Sequence, residues 1–350
     1  NEKYEFIYPN VEYEKQIGLS SNYNGSLTFD LNGYQKEYGV DSSESVLINN
    51  LQYESFDYFL NSGLKNKFNL LVKNVNSNGD NSTTYKEKNS NKLLGSFIFE
   101  SSYPLKKNGE NYDSFLKPIA SFRFSPTETK NLKNSSRRID INNIFTYDRI
   151  ANNSAVEGGR SLTLGSEYKL NKKDNNEFLL LNLATVLRDE SNPDLPLNST
   201  IGQKTSDIIG NAKFVPNSNF NIDYNFSIDN NLDTSNYDSI TASLSVNNFI
   251  TSFEFMQEQN VIGSKSYIQN NTSYNLDDTK SLSFSTRKNK ETNLTEFYNL
   301  IYKYKNDCLI AALEYNKEYY DDVDLKPEEQ LLFTITIMPF GKVNSPNLNQ

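Results

Sequence analysis

The chain reads as an all-β protein, a transmembrane antiparallel β-barrel to which this sequence contributes about 17 to 18 strands. Three observations predict this. Apolar and polar side chains alternate with a period of two from end to end. Aromatics are plentiful, with 23 Tyr and 22 Phe, although the mean hydropathy is −0.68. The links between strands alternate between short and long. Only 36% of residues are hydrophobic, which is low for a packed globular core. So many aromatics do not suit a disordered chain either. A barrel reconciles the two, because it needs apolar residues only at alternate strand positions and its lumen and loops are polar.

The clearest strand holds Phe220, Ile222, Tyr224, Phe226 and Ile228 on one face and Asn221, Asp223, Asn225, Ser227 and Asp229 on the other. Leu162, Leu164, Tyr168 and Leu170 alternate in the same way with Ser161, Thr163, Glu167 and Lys169. Leu282 and Phe284 stand against Ser281, Ser283 and Ser285, and Leu331, Phe333, Ile335 and Ile337 repeat the pattern near the end. In chain order, strands are expected near 4–16, 25–35, 45–58, 62–74, 93–103 and 114–123, then 160–171, 176–187, 206–215 and 219–229. The rest are expected near 237–246, 248–257, 265–276, 280–289, 295–305, 307–317 and 329–339. Alternation alone would also fit a soluble sheet with one wet face. Two features favour the membrane. The strands run about 10–12 residues, near the 9–11 a bilayer requires and beyond the 5–6 usual in soluble sheets. Tyr and Phe crowd the strand ends (Tyr4, Phe6 and Tyr8; Phe56, Tyr58 and Phe59; Tyr302 and Tyr304), as an interfacial girdle does.

Short links at Pro216-Asn217-Ser218, Asn247, Asp277-Asp278 and Asn306 alternate with longer ones, among them 188–205 and the acidic 318–328. Outer-membrane barrels have short periplasmic turns and long external loops. On that rule the last strand, about 329–339, runs inward and the C-terminus is periplasmic. The first strand also runs inward, an odd count that predicts missing sequence upstream of Asn1, because bacterial single-chain barrels normally have an even number of strands. The stretch 127–159 is the least regular and has room for a further hairpin around Ile144–Arg149.

The chain has no run of about 18 apolar residues, so no transmembrane helix is expected, and residues 1–25 do not read as a signal peptide. A net charge of −9 without a basic patch argues against nucleic acid as a partner. Histidine is absent, which excludes the usual triads and histidine–zinc sites. Cys308, the single cysteine, has no partner for an internal disulfide and no His to activate it, and by itself reads as a small buried apolar residue. Asp321, Asp322 and Asp324 read as a solvated loop rather than a calcium site, and Arg137-Arg138 as loop solvation. Gly158-Gly159 lacks the strand–loop–helix context of a phosphate loop and reads as a strand entry with unusual dihedrals. No enzyme and no cofactor are expected.

Three stretches carry a resemblance. The first is Ser102-Tyr103-Pro104-Leu105-Lys106-Lys107, then Phe115-Leu116-Lys117-Pro118-Ile119-Ala120 and Phe124-Ser125-Pro126. The second is Asn143-Ile144-Phe145, Asp148-Arg149, Glu157-Gly158-Gly159-Arg160 and Gly165 to Tyr168. The third runs from Asn306-Asp307-Cys308 through Leu313-Glu314-Tyr315 and Pro327 to Phe333, Pro339 and Gly341. In order and spacing they resemble the lipopolysaccharide (LPS) assembly protein family, LptD, although Lys117 stands where that family usually has Glu. Pro9-Asn10-Val11 fits a further element of the family. The resemblance implies a barrel of about 26 strands behind a periplasmic jellyroll, of which this chain would be the C-terminal barrel region, without the jellyroll and first strands.

It also implies the function: insertion of LPS into the outer leaflet of the outer membrane, released sideways at the barrel seam. Leu331, Phe333, Ile335 and Ile337 would then lie on the gate strand. The implied partners are LPS, an LptE-like lipoprotein plug, a periplasmic LPS-bridge protein reached through the missing N-terminal domain, and the barrel-assembly machinery. Family members carry neighbouring cysteines in the penultimate strand region that pair with cysteines near the jellyroll. Here Cys308 stands at one such position and Leu309 follows it, so a disulfide to a cysteine upstream of this sequence stands beside the reading as a small buried apolar residue. The alternative is an outer-membrane porin or substrate-specific diffusion channel, which shares the alternation and girdles.

Overall fold

The structure, a computed structural model, describes residues 5–19, 24–39, 41–135, 137–174, 176–197, 199–259, 265–319, 328–337 and 341–344. Tyr4, the loop acids Asp321, Asp322 and Asp324, Pro327 and Pro339 lie outside them.

Among the described residues there are twenty strands and no α-helix. They are β1 (Glu5–Ile17), β2 (Gly25–Tyr38), β3 (Ser42–Ser55), β4 (Tyr58–Phe59), β5 (Lys65–Asp80), β6 (Ser90–Ser102), β7 (Leu105–Asn108), β8 (Tyr112–Ser125), β9 (Gly159–Lys172) and β10 (Glu177–Arg188). Then follow β11 (Ile208–Asn217), β12 (Phe220–Ile228), β13 (Ser235–Val246), β14 (Phe249–Glu258), β15 (Lys265–Asn275), β16 (Lys280–Asn289), β17 (Thr295–Lys305), β18 (Leu309–Glu318), β19 (Glu329–Ile337) and β20 (Gly341–Asn344). Each of the seventeen strands expected from alternation is present. Two of the extra strands, β4 and β7, follow breaks just after β3 and β6. The third, β20, is a correction, because the segment expected to be last is followed by a strand that pairs antiparallel with it, Ile337 opposite Gly341. The expected hairpin around Ile144–Arg149 is also absent, and that stretch is a series of turns.

The long strands pair antiparallel with the next long strand in sequence wherever the register is described, β1 with β2, β2 with β3, then β3 with β5 and β6 with β8 past the short β4 and β7, and on to β18 with β19. The backbone groups are thereby paired within the sheet, as a lipid environment demands. The chain divides into two compact units. The first comprises Asn1–Asn108, Ser114–Tyr168 and Asn182–Ile209, and the second comprises Gly109–Asp113, Lys169–Leu181 and Gly210–Gln350.

In the first unit the two sheet faces are inverted relative to a soluble protein. Phe68, Leu70 and Val72 of β5, Phe97 and Phe99 of β6, Phe122 and Phe124 of β8, and Leu162 and Leu164 of β9 are exposed. Their polar neighbours Ser96, Ser121, Ser161 and Thr163 are buried. Register puts the exposed residues in rows, with Phe68 opposite Phe99, Leu70 opposite Phe97 and Phe97 opposite Phe124. So large an exposed apolar face is unfavourable in water and is satisfied by lipid. The second unit keeps the apolar stripe, with Tyr302 opposite Leu313 and Leu313 opposite Phe333. Of the expected girdle residues, Phe6, Tyr8, Phe56, Tyr58, Phe59 and Tyr302 are exposed, whereas Tyr304 is half-buried.

Candidate functional site

The first unit holds a folded cap on its polar face. Two long connections, 126–158 and 189–207, leave the same sheet end, because β9 and β10 form the hairpin between them. The connections bond to each other, Leu132 N–H to the Asp194 carbonyl at 2.7 Å and Leu197 N–H to the Lys133 carbonyl at 3.2 Å. Thr129 Oγ1 accepts from Gly158 N–H at 2.9 Å and from Asn192 Nδ2 at 2.7 Å. Leu132, Ile139, Ile144, Ile150, Ala155, Leu195 and Ile201 of the connections form one buried core with Ala184 and Val186 of β10 and Ile209 of β11. Val156 reaches a second core on β3, β5 and β6 with Val46, Ile48, Leu71, Val75 and Leu94. Fully burying a Leu or Ile is worth about 1.5–3 kcal/mol. The cap is therefore docked by ordinary hydrophobic packing against the few inward apolar residues of these strands.

Charge fastens it. The Arg149 side chain is 1% exposed, and all five of its N–H groups have acceptors. Its Nε and Nη2 grip the Glu157 carboxylate at 2.6 and 2.5 Å, Nη2 also reaches Ser161 Oγ at 3.0 Å, and Nη1 reaches Thr163 Oγ1 at 3.1 Å and the Ile144 carbonyl at 3.3 Å. Arg188 pairs with the same carboxylate and donates to the Gly158 carbonyl at 2.6 Å. Arg123 donates to the carbonyls of Tyr147 at 2.7 Å and Thr146 at 2.5 Å, with Nε 3.9 Å from Glu157. Lys73 Nζ bonds the carbonyls of Asn152, Asn153 and Ala155 at 3.3, 2.9 and 3.3 Å. Three inward cations of the sheet, Lys73, Arg123 and Arg188, thus hold the turns of the cap. Burial alone would raise the Glu157 carboxyl, but Arg149, Arg123 and Arg188 more than offset it and hold the group well below the usual carboxylate range. Asp148 is pushed upward by burial, against the pull of Lys73.

The glycines and Phe145 complete the fit. A Cβ on Gly158 would lie 2.1 Å from the Thr127 carbonyl oxygen, so no side chain fits. Gly159 has φ +88°, the left-handed region expected of this strand entry. Gly165 leaves room for the Phe145 ring, whose Cζ would meet a Cβ there at 2.7 Å. Of the residues singled out by resemblance, Phe145, Arg149, Glu157, Gly158 and Gly159 therefore meet in one place. Arg160 points elsewhere and makes an exposed pair with Asp189 at 2.7 Å. Pro104 and Pro118 mark where β6 and β8 part. Tyr103 N–H donates to the Pro118 carbonyl at 3.1 Å, and the chain breaks at Pro104 before β7. Arg137 corrects the reading of Arg137-Arg138 as loop solvation, because its Nε donates to the Arg149 carbonyl at 3.1 Å. Cys308 is another correction. It is exposed in the turn between β17 and β18, its N–H bonded to Asn306 Oδ1 at 3.0 Å, and not buried as a small apolar residue.

Sequence reasoning missed Lys73, Arg123 and Arg188. The signal was available: each is a cation at an inward position of an alternating strand, Arg123 between Phe122 and Phe124 and Arg188 two residues after Val186. Leu331, Phe333, Ile335 and Ile337 share one face of β19, opposite Tyr315, Leu313, Ala311 and Leu309 of β18. Among the described residues, no three His, Cys, Asp or Glu side chains gather into a metal site.

A sheet with an apolar outer face, a polar inner face and a docked cap belongs to the class of outer-membrane β-barrel proteins. The chain is a member of the LptD family, LPS transport system D, which it matches over residues 58–276, more than half its length and the whole of the cap. No curated protein matches it. Solved structures with some likeness include two mutants of Rh. blastica porin, each with a TM-score of 0.33 and 11% identity over 90% of this chain and 95% of the porin. Another is described as "Asymmetric conductivity of engineered proteins", with a TM-score of 0.30 and 10% identity over 91% of this chain and 93% of that one. Likeness this low carries no argument.

Proposed function

We propose that this chain carries LPS to the outer leaflet of the outer membrane and releases it sideways at a seam of its sheet. The observation that supports this most is the cap, built around residues within the stretch that identifies the LPS-transport family. A fixed cap over the polar face leaves the sheet edge as the route for an amphipathic lipid. β19 suits that role. Among the described residues its pairing with β20 covers four residue pairs, against nine with β18. A seam with few ladder bonds opens at lower cost than a fully paired one.

On this reading the long connections face the cell exterior and the short turns the periplasm. Leu331, Phe333, Ile335 and Ile337 lie beside the departing lipid. An LptE-like lipoprotein occupies the polar side, a periplasmic bridge protein delivers LPS through a further domain, and the barrel-assembly machinery inserts the protein. On this reading Cys308, exposed in the turn between β17 and β18, pairs with a cysteine of another segment.

The test is depletion of the full-length protein in its own cells while newly made LPS is followed to the surface. New LPS is expected to fail to reach the outer leaflet and to build up behind it. Normal surface LPS with reduced uptake of small solutes would overturn the proposal in favour of a diffusion channel. A photo-reactive group at Ile335 is expected to capture LPS in transit, and failure at every position of β19 would remove the gate from the proposal.

A further inference from the structure

We infer that the outward rim of the second unit, at the short-turn end, holds a binding site for an anionic glycerophospholipid, with Lys172 on its phosphate. Assigning that lipid to the inner leaflet rests on the orientation proposed above.

The site is built from strand ends. Tyr112 opens β8, Lys172 closes β9, Phe178 is the second residue of β10, and Phe214 and Pro216 lie near the end of β11. β9 has 14 residues, whereas a bilayer needs about 9–11 per tilted strand. Its end therefore stands at the level of the headgroups. Lys172 comes two positions after Leu170, in the apolar row of that strand. Tyr112 and Phe214 are exposed. The three rings form one platform, with Tyr112 and Phe178 4.9 Å apart between centroids and Phe178 and Phe214 5.1 Å apart. The Lys172 stem crosses it, with Nζ 5.6 Å from the Phe178 centroid and donating to the Pro216 carbonyl at 2.6 Å. A lysine can cover apolar surface in this way while its charged head stays at the polar boundary.

Four lysines stand at this rim, and three of them have carboxylates. Lys169 and Lys213 share Glu177 at 3.2 and 3.0 Å, and Lys173 meets Asp113 at 2.6 Å. Among the described residues Lys172 makes no such pair. Asp174, two positions on, accepts from the N–H and Nδ2 of Asn176 at 3.1 and 2.8 Å. An ammonium has three N–H donors. One is spent on Pro216, so two remain beside the rings for an acceptor. A phosphate oxygen forms the stronger, charge-assisted kind of bond with them. The rings and Pro216 already hold the side chain, so binding orders little that was free.

The combination selects the occupant. The rings take the glycerol and the upper acyl chains, and the ammonium takes the phosphate. Free phosphate leaves the rings unused, and an acidic soluble protein does not enter the edge of a bilayer. Phosphatidylethanolamine brings an ammonium of its own, which competes for the same phosphate. Phosphatidylglycerol brings none.

The full-length protein is placed in nanodiscs holding equal phosphatidylglycerol and phosphatidylethanolamine in both leaflets. Lipid retained on extraction is counted by native mass spectrometry. Lys172→Met keeps the stem and removes the charge. Retained phosphatidylglycerol is expected to fall at least threefold, with phosphatidylethanolamine unchanged and heat-modifiable migration intact. Lys172→Arg is expected to keep the parent's retention, and so is Lys173→Met, whose charge is already paired. Retention equal to the parent in folded Lys172→Met overturns the site, and an equal fall of both lipids overturns the anionic assignment. Should Lys172→Met lose its folded migration, a benzophenone side chain at Asn217 of the parent replaces it. Capture of phosphatidylglycerol is then expected, and capture of phosphatidylethanolamine alone counts against the site. Retention in nanodiscs does not depend on which end faces the periplasm. Ser218→Cys, in the adjoining turn, is therefore labelled separately in intact cells with a membrane-impermeant thiol reagent. Labelling before the outer membrane is permeabilised overturns the inner-leaflet assignment together with the orientation. Labelling only afterwards, with no loss of phosphatidylglycerol in Lys172→Met, sinks the site alone.

Discussion

The two units use the same alternating sequence pattern and reach different interiors. In the first, the polar face is closed by a cap with its own hydrophobic core, and Arg149, Glu157, Ser161, Thr163, Val186 and Arg188 are buried. In the second, β12 to β19 are nine to twelve residues long, and their inward side chains are mostly half-exposed. Asn211 of β11 is buried, and it spends its amide on Asp223 and Asn225 of the neighbouring strand, at 3.0 and 2.9 Å. What differs is the length of the connections. The links 229–234 and 290–294 are too short to fold back, whereas 126–158 is long enough to bring apolar residues and a carboxylate to the inward arginines. Alternation makes a sheet, and a long connection with its own apolar residues makes an interior.

That contrast breaks most readily at Glu157. Glu157→Gln leaves Arg149 and Arg188 buried beside a neutral amide, and breaking a buried ion pair costs about 3–5 kcal/mol. The cap is expected to undock, with amide exchange and proteolysis rising across 126–158 and 189–207 while the second unit keeps its protection. Unchanged protection of 126–158 would show that packing alone holds the cap. Gly158→Ala comes next, since its Cβ meets a backbone oxygen at 2.1 Å that cannot move without dragging Thr127. Gly159→Ala meets Arg188 Nη2 at an ordinary 3.5 Å and is strained only by its positive φ, a cost of about 1–3 kcal/mol. Exchange across the cap should therefore rise more for Gly158→Ala than for Gly159→Ala. The reverse order would mean that backbone conformation outweighs space at this entry.

Alternation reports side-chain direction, so it located every long strand, from β1 to β19, within a few residues except at the end of β5, expected at 74 and found at Asp80. It could not anticipate β20, whose four residues are too few to show a period. It also could not say what 126–158 does, because turns have no period, and the Ile144–Arg149 stretch looked like a strand only because Ile144, Phe145 and Ile150 are apolar for another reason, packing in the cap. The motif residues were legible as a set but not as a contact. Arg149 and Glu157 are eight residues apart, and nothing in that spacing announces that they face each other or that Arg123 and Arg188 complete the cluster. Cys308 misled because a small thiol is usually buried, whereas its place is fixed by the turn that Asn306 closes.

Acid provides a milder test of the same fastening. The folded-state pKa of Glu157 is depressed, so its contribution is fully present above the unfolded carboxylate value of about 4.3 and is lost only as pH falls through the lower folded value. The pKa of Asp148 is raised, so its ionisation opposes docking, and that cost appears as pH rises above about 3.9. Both signs predict a cap at least as well protected at pH 5 as at pH 7, measured by amide exchange corrected for its intrinsic pH dependence. Weaker protection at pH 5 would place the controlling carboxylate outside this cluster.

The smallest effect belongs to Arg160, a charged residue of the family motif that leaves the cluster. Its pair with Asp189 is exposed on both sides, where water screens the attraction and side-chain entropy offsets the rest. Arg160→Ala is expected to leave cap protection and folded migration unchanged, even though it sits beside Gly159 and within the same motif as Glu157. If surface delivery of LPS falls while protection stays intact, Arg160 is needed for transport and not for the fold. If protection falls with it, the exposed pair does hold the end of the 189–207 connection, and the cap depends on its rim as well as its core.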